Sequence, residues 1–275
     1  MVSASRRGLL SVVIPAFNEA ARIGPNLQRV FSYLDSQGCR AEILVVSDGS
    51  ADGTEQQVLQ LAKGRHDVSV IENGVNRGKG FSVRRGVLEA SGSLILFCDA
   101  DGSTPIEELD KLLAAIDAGC DVAIGSRALP QSDIRQAQPL WRETMGRIFN
   151  GFVQVTALPG IRDTQCGFKC FTREAARLIF PRQRIDRFGF DVEVLWLARK
   201  LGLRIAEVPV AWIDHPGSTV HPVRDSSRML VDVVRVRLHD MRGDYGPPGA
   251  VVEAARNALA AAGSTASARP IVRRV

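Results

Sequence analysis

Leu94-Ile95-Leu96-Phe97-Cys98-Asp99-Ala100-Asp101-Gly102 passes from an apolar run to two carboxylates with one residue between them. An apolar run this short, without polar alternation, predicts a strand buried on both faces, the habit of parallel sheets. A chain leaving that strand on Asp99 and Asp101 puts negative charge at the sheet's carboxyl edge, where open α/β sheets bind ligands. Two hard oxygen donors there suit Mg²⁺ or Mn²⁺, with phosphates completing the coordination. A plainer role also fits. Aspartate is a favoured helix N-cap, and Ser103-Thr104-Pro105 follows. This stretch alone leaves the two readings level, and the remaining strand ends favour the ligand site.

Upstream, residues 9–14, 43–46 and 68–71 read as three more strands. Ile23, Leu27, Val30, Phe31 and Leu34 share one helical face between the first two, and residues 53–62 and 80–90 read as further helices. Downstream, Leu109, Leu112, Leu113 and Ile116 mark another helix, and residues 122–124 a fifth strand. This alternation predicts a parallel sheet with helices on both faces. The second half is less regular. Leu140–Thr156 is amphipathic, with Trp141, Met145, Ile148, Phe149, Phe152 and Val153 on one side and Arg142 and Arg147 among them. Residues 168–171 and 203–208 read as strands. Phe190, Val194, Leu197, Ala198 and Leu201 form a helical face, and residues 229–241 a helix carrying Arg235 and Arg237 just after Arg228. Residues 1–246 therefore read as one domain. Residues 247–275 read as an Ala/Gly-rich tail of low order, with a short helix at 251–262.

The early strands all end in polar groups. Pro15-Ala16-Phe17-Asn18-Glu19 follows the first, Ser47-Asp48-Gly49-Ser50 the second, and Asn76-Arg77-Gly78-Lys79-Gly80 comes after the third. Gly125-Ser126-Arg127 closes the fifth. Each alone is ordinary turn chemistry. Together they line one edge with carboxylates, cations and glycines, and the glycines beside Lys79 let backbone N–H groups approach phosphate. Gly74 to Gly80 is one residue short of a P-loop and lacks its Ser/Thr. No Gly-x-Gly-x-x-Gly follows the first strand, which disfavours dinucleotides, and there is no Gly-x-Ser-x-Gly elbow.

The chain has 275 residues, 45% of them apolar, enough for one large α/β core. A net charge of +5 is too mild to demand nucleic acid but fits phosphates or an anionic membrane surface. The five scattered cysteines read as reduced thiols, which implies a cytosolic setting. No apolar run approaches the roughly 18 residues of a spanning helix, and the N-terminus is a poor signal peptide.

Four motifs in order resemble family 2 glycosyltransferases of the GT-A fold: residues 11–19, Val45–Thr54 around Ser47-Asp48-Gly49-Ser50, Asn76–Gly80 and Asp99–Gly102. The likeness continues through Gly125-Ser126-Arg127, Asp163-Thr164-Gln165-Cys166-Gly167-Phe168-Lys169, Phe190-Asp191-x-Glu193 and Glu207-Val208-Pro209-Val210-x-Trp212. This set is similar to the dolichyl- and polyprenyl-phosphate sugar synthases, nearest their β-glucosyltransferase branch, over roughly residues 9–240. The resemblance implies that Pro15, Ala16, Glu19 and Asp48 hold the nucleotide's base and ribose, with Lys79 and Ala100 also at the donor. It implies that Asp99 and Asp101 hold ribose and the metal, that Asp101 and Arg127 are catalytic, and that Arg127 and Lys169 face the acceptor phosphate. Lys169 stands where many relatives have arginine. Gly217-Ser218-Thr219 replaces a common Gly-Ser-Lys, so that Arg224 becomes the candidate cation for the diphosphate. Gly102-Ser103 weakens a GDP-mannose reading.

The implied reaction is inverting transfer of a hexose, foremost glucose from UDP-glucose, to a polyprenyl monophosphate. The implied cofactor is Mg²⁺ or Mn²⁺, and the implied location is the cytoplasmic face of a membrane, as a peripheral protein. A hydroxyl acceptor would instead need a base, for which Asp191 and Glu193 are candidates, with helix N-terminal charge as their plainer role. GDP-mannose-dependent transfer and sugar nucleotidyl transfer are the alternative reactions. Leu140–Thr156, through Phe149 and Phe152, and residues 229–241 are candidate interfacial segments, ordinary core packing being the alternative for both.

Overall fold

The computed structural model describes residues 8–136, 140–214, 222–247 and 273–274. Strands β1 (Leu10–Ala16), β2 (Ala41–Ser47), β3 (Val68–Glu72), β4 (Leu94–Cys98) and β5 (Val122–Ser126) alternate with helices α1 (Ile23–Ser36), α2 (Thr54–Leu61), α3 (Lys79–Glu89) and α4 (Leu109–Asp117). The second half contains β6 (Asp133–Gln136), α5 (Leu140–Thr156), β7 (Phe168–Thr172), α6 (Arg173–Ile179), α7 (Phe190–Lys200), β8 (Ile205–Pro209), β9 (Ala211–Ile213) and α8 (Pro222–Met241). A two-residue strand β10 (Arg273–Arg274) pairs antiparallel with β3. The main sheet runs β10-β3-β2-β1-β4-β7-β5-β8, and β6 and β9 form a separate parallel pair.

Both faces of the sheet are covered, which is why its strands lack alternation. Val13 of β1 and Ile95 and Phe97 of β4 pack with the buried sides of α3, α5, α6, α7 and α8. Val12, Ile14, Leu96 and Cys98 pack instead with α1, α2 and α4. Besides the short β10 at the edge, the strand that departs from the parallel arrangement is β7. It lies between β4 and β5 and runs antiparallel to both, with Phe97 opposite Lys169 and Ile124 opposite Lys169. That reversal carries the turn before β7 back beneath the end of β4. Asp99 N–H donates to the Gly167 carbonyl at 3.1 Å. A β-carbon on Gly167 would come within 2.0 Å of the Asp99 carboxylate, so only glycine permits this approach. The helix expected at 251–262 and the order of the tail lie outside the described residues, as do Gly217-Ser218-Thr219 and the side chains of Trp141, Arg142, Met145, Arg147, Ile148 and Arg224.

Candidate active site

The carboxyl ends of β1, β2 and β4 open into a cleft of about 460 Å³. Eight expected site residues line it: Pro15, Ala16, Glu19, Asp48, Lys79, Asp99, Ala100 and Asp101. The remaining two, Arg127 and Lys169, are not among its lining residues.

Asp48 is buried and accepts three hydrogen bonds while still lining the cleft. Its Oδ1 accepts from the Asn73 amide and Arg77 N–H at 2.8 and 2.9 Å, and its Oδ2 accepts from Gly78 N–H at 2.7 Å. The carboxylate thus shapes the loop leading to Lys79. Gly78 has φ +110°, and a β-carbon there would lie 2.4 Å from the Asp186 carbonyl, so the loop requires glycine. Glu19 pairs through Oε1 with Arg22 at 2.6 Å, while its buried Oε2 has no partner among the described residues. Burial, reinforced by Asp101 and Asp99, outweighs Arg22 and lifts the Glu19 carboxyl above its ordinary range.

At the cleft floor two ion pairs lie near one ring. Lys79 Nζ meets Asp99 Oδ1 at 2.6 Å. Below, Lys169 Nζ pairs with Asp191 and donates to the Cys166 carbonyl at 2.6 Å. The two ammoniums lie 5.4 and 5.6 Å from the Phe97 ring centroid. Burial raises the Asp99 carboxyl pKa despite Lys79. Burial works against the charged Lys79, but Asp99 and Asp191 hold its pKa above the ordinary lysine value. Lys169 is 1% exposed and sealed by Asp191, so the expectation that it faces a substrate phosphate is corrected: its charge serves a buried partner.

Arg127, at the end of β5, is held by Asp163 through Nε at 2.7 Å and a second guanidinium nitrogen at 2.9 Å. It also lies 5.5 Å from the Trp212 ring. Burial alone would raise the Asp163 pKa, but the charge and hydrogen bonds of Arg127 bring it down to about 2 from 3.8. The unfolded chain therefore binds this proton first. The pair's stabilisation is complete above the unfolded value and is lost as pH falls through the folded one, a contribution of about 2 kcal/mol. Urea unfolding of the wild type and Asp163→Asn at about pH 5 and about pH 2.5 checks this: the variant should lose less stability across the interval.

Neither base candidate is available. Asp191 belongs to Lys169. Glu193 is buried and accepts from Arg184 N–H at 2.9 Å, Ile185 N–H at 2.8 Å and the Tyr245 hydroxyl at 2.7 Å. It pins the chain entering α7. Sequence reasoning also missed Asn26, whose amide donates to the Asp99 and Ala100 carbonyls at 3.1 and 3.2 Å and sets the path between the two aspartates. Its signal is a lone polar residue on the apolar face of α1. Arg187, Arg228 and Asp232 line the cleft as well, and only their positive and negative charge late in the chain hinted at this.

Among the described residues no group of three or more His, Cys, Asp or Glu is placed to hold a metal. The donor set does fit a hard ion held by one or two carboxylates and substrate phosphates: Asp99 and Asp101 face the cleft beside an unpartnered oxygen of Glu19.

Residues 11–180 match the family described as Glycosyl transferase family 2. A dolichyl-phosphate beta-glucosyltransferase of Dictyostelium discoideum is 37% identical over 248 residues, 85% of this chain and 75% of that protein. One from Drosophila melanogaster is 40% identical over 228 residues, 78% of this chain and 69% of that protein. In three dimensions the chain is similar to glucosyl-3-phosphoglycerate synthase from Mycobacterium tuberculosis, solved with Mn²⁺, UDP-glucose and phosphoglyceric acid. The TM-score is 0.64 at 20% identity, over 90% of this chain and 83% of that one. With this GT-A fold, and with the first four motifs meeting at one cleft, the chain belongs to glycosyltransferase family 2.

Proposed function

We propose that the protein transfers glucose from UDP-glucose to a dolichyl or polyprenyl monophosphate, with inversion, at a membrane surface. The observation that carries this reading is the occupation of both base candidates. Asp191 is paired with Lys169, and Glu193 is clamped by two backbone N–H groups and a hydroxyl. A hydroxyl acceptor needs a base, whose usual worth is about 10²–10⁴-fold. A phosphomonoester has a second pKa of about 6 and arrives largely as the dianion. Its oxygen bonds to the anomeric carbon as the bond from that carbon to UDP breaks, and UDP leaves with the electron pair. The names of the relatives and the donor in the similar solved structure support the choice of substrates.

In this reading Pro15, Ala16, Glu19 and Asp48 receive the base and ribose, with Lys79 and Ala100 beside them. Asp99 and Asp101 hold Mg²⁺ or Mn²⁺, which when bound supplies Lewis-acid neutralisation of the departing diphosphate. Arg127 meets the acceptor phosphate with the guanidinium nitrogen that Asp163 leaves free. The test is a panel of labelled nucleotide sugars with dolichyl phosphate and Mg²⁺, followed by organic extraction. Label from UDP-glucose should enter the organic phase. Label entering only from GDP-mannose, or pyrophosphate released from UTP and a sugar 1-phosphate, overturns the proposal.

Among the described residues no helix is long and apolar enough to cross a membrane. The candidate lipid contact is α8. Val233 and Val236 turn into the core, while Leu230, Val231, Val234, Leu238 and Met241 are exposed, with Arg235 and Arg237 at the edges of that stripe. Val155 and Phe152 of α5 are exposed too, whereas Phe149 is a core residue, a correction to its expected place at the interface. A buried methylene contributes about 0.8 kcal/mol of membrane affinity. Val234→Ser with Leu238→Ser should therefore weaken sedimentation with anionic vesicles by about tenfold or more and leave the thermal midpoint unchanged.

A further inference from the structure

The cations that reach the cleft divide into two sets. Arg22 is paired with Glu19 and Lys79 with Asp99, each at 2.6 Å, so their charge is already opposed. Arg187 and Arg228 also line the cleft, are exposed, and form no ion pair among the described residues. The nearby Asp232 is engaged by Arg235 at 3.0 Å. Two guanidiniums without an ion pair among the described residues thus face a cleft that also holds Asp99 and Asp101, although the Arg187 charge also acts on Asp232.

Their placement is fixed by tight packing. Arg187 stands over the loop shaped by Asp48: a β-carbon on Gly78 would lie 3.0 Å from Arg187 Cγ. Arg228 lies on α8 one turn before Asp232. A β-carbon on Gly189 would come within 2.4 Å of Asp232 Cβ, so α8 is seated directly on the loop that carries Arg187. The loop and the helix hold the two arginines as one wall.

We propose that Arg187 and Arg228 clamp the diphosphate of the donor, a role that rests on the nucleotide-sugar reading of the cleft. Guanidinium forks match phosphate oxygens and form charge-assisted hydrogen bonds. Both side chains are exposed and have no ion pair among the described residues, which leaves them open to phosphate. As the bond to the sugar breaks, the diphosphate gains one more negative charge, and the clamp holds that leaving group more strongly than it held the donor. The nearness of Arg187 to the Asp48 loop assigns the pair to the nucleotide rather than to the acceptor phosphate.

Calorimetry of the full chain in Mn²⁺, with UDP and with uridine, tests the clamp. Arg187→Ala and Arg228→Ala should each weaken UDP binding by about tenfold and leave uridine binding unaltered. The kcat with UDP-glucose should fall, and the KM for dolichyl phosphate should hold. Arg40→Ala, exposed at the opposite edge of the sheet, controls for net charge and should change nothing. Unchanged UDP affinity with a raised KM for dolichyl phosphate moves the pair to the acceptor and overturns the clamp. An equal loss of UDP and uridine binding overturns it as well, since the substitutions would then act on the base site. A wild-type protein that binds neither compound overturns the nucleotide-sugar reading itself, a different failure from the first two.

Discussion

Asp101→Asn should abolish sugar transfer while leaving the protein folded. Asp101 stands at the sheet edge, and its only described hydrogen bond runs from Ser103 N–H to Oδ1 at 3.0 Å. Asparagine keeps an acceptor oxygen there, so the turn after β4 survives. What is lost is one of the two carboxylate charges offered to a metal and, through it, to the departing diphosphate. Removing electrostatic stabilisation of a developing charge costs about 10²–10³-fold in kcat for a single neutral donor, and a metal ligand should cost at least about 10³-fold. The thermal midpoint should stay within about 2 °C, since the site is at the surface. The loss of Asp101 also removes one of the charges that hold the Glu19 pKa up. Turnover in excess EDTA equal to that in Mg²⁺ would sink the metal assignment.

Lys169→Ala should produce the largest loss of stability. Lys169 and Asp191 are both nearly inaccessible, and removing one partner leaves the other charge buried and unpaired. Breaking such a pair costs about 3–5 kcal/mol, which for a chain of this size is a fall of about 10 °C in Tm. Asp191, which already acts on Lys79 electrostatically, would then draw on that ammonium and loosen it from Asp99. Lys169→Met combined with Asp191→Leu removes both charges and keeps apolar volume beside Phe97, so it should recover most of the lost stability. Denaturant unfolding of the single and double variants checks this. A single variant within about 1 kcal/mol of the wild type would show that the pair is not structurally important.

The strand ends were legible because their chemistry is local. A buried strand that stops on Asp99-Ala100-Asp101, or a Gly78-Lys79-Gly80 turn, carries its meaning within a few residues. The ends of α5 and the extent of β4 were legible for the same reason, since apolar periodicity is a short-range signal. The direction of β7 was not, because nothing within residues 168–172 says which neighbours it will pair with. Lys169 looked like a phosphate ligand because a cation in a motif reads the same whether it meets a substrate or a partner on another element. Asp191 lies on α7, and only the packing of α7 against the sheet reveals the pair. Phe149 and Phe152 lie three residues apart on one apolar side of α5. Contact with the core, invisible in the sequence, buries the first and spares the second.

The insertion of β7 between β4 and β5 sets an order of assembly during synthesis. β1 to β4 and the residues that line most of the cleft leave the ribosome well before residue 172. Until then one edge of β4 offers unpaired backbone groups along an apolar strand, a feature that invites mispairing in incomplete chains. The Asp99 N–H likewise waits for the Gly167 carbonyl, and the Phe97 ring for the ammonium of Lys169. The first hundred residues therefore hold most of the groups expected to bind the nucleotide, yet they complete their arrangement only when a distant segment folds back between two strands. Such a non-local closure slows folding, and it withholds the finished cleft from a nascent chain until the sheet behind it is closed.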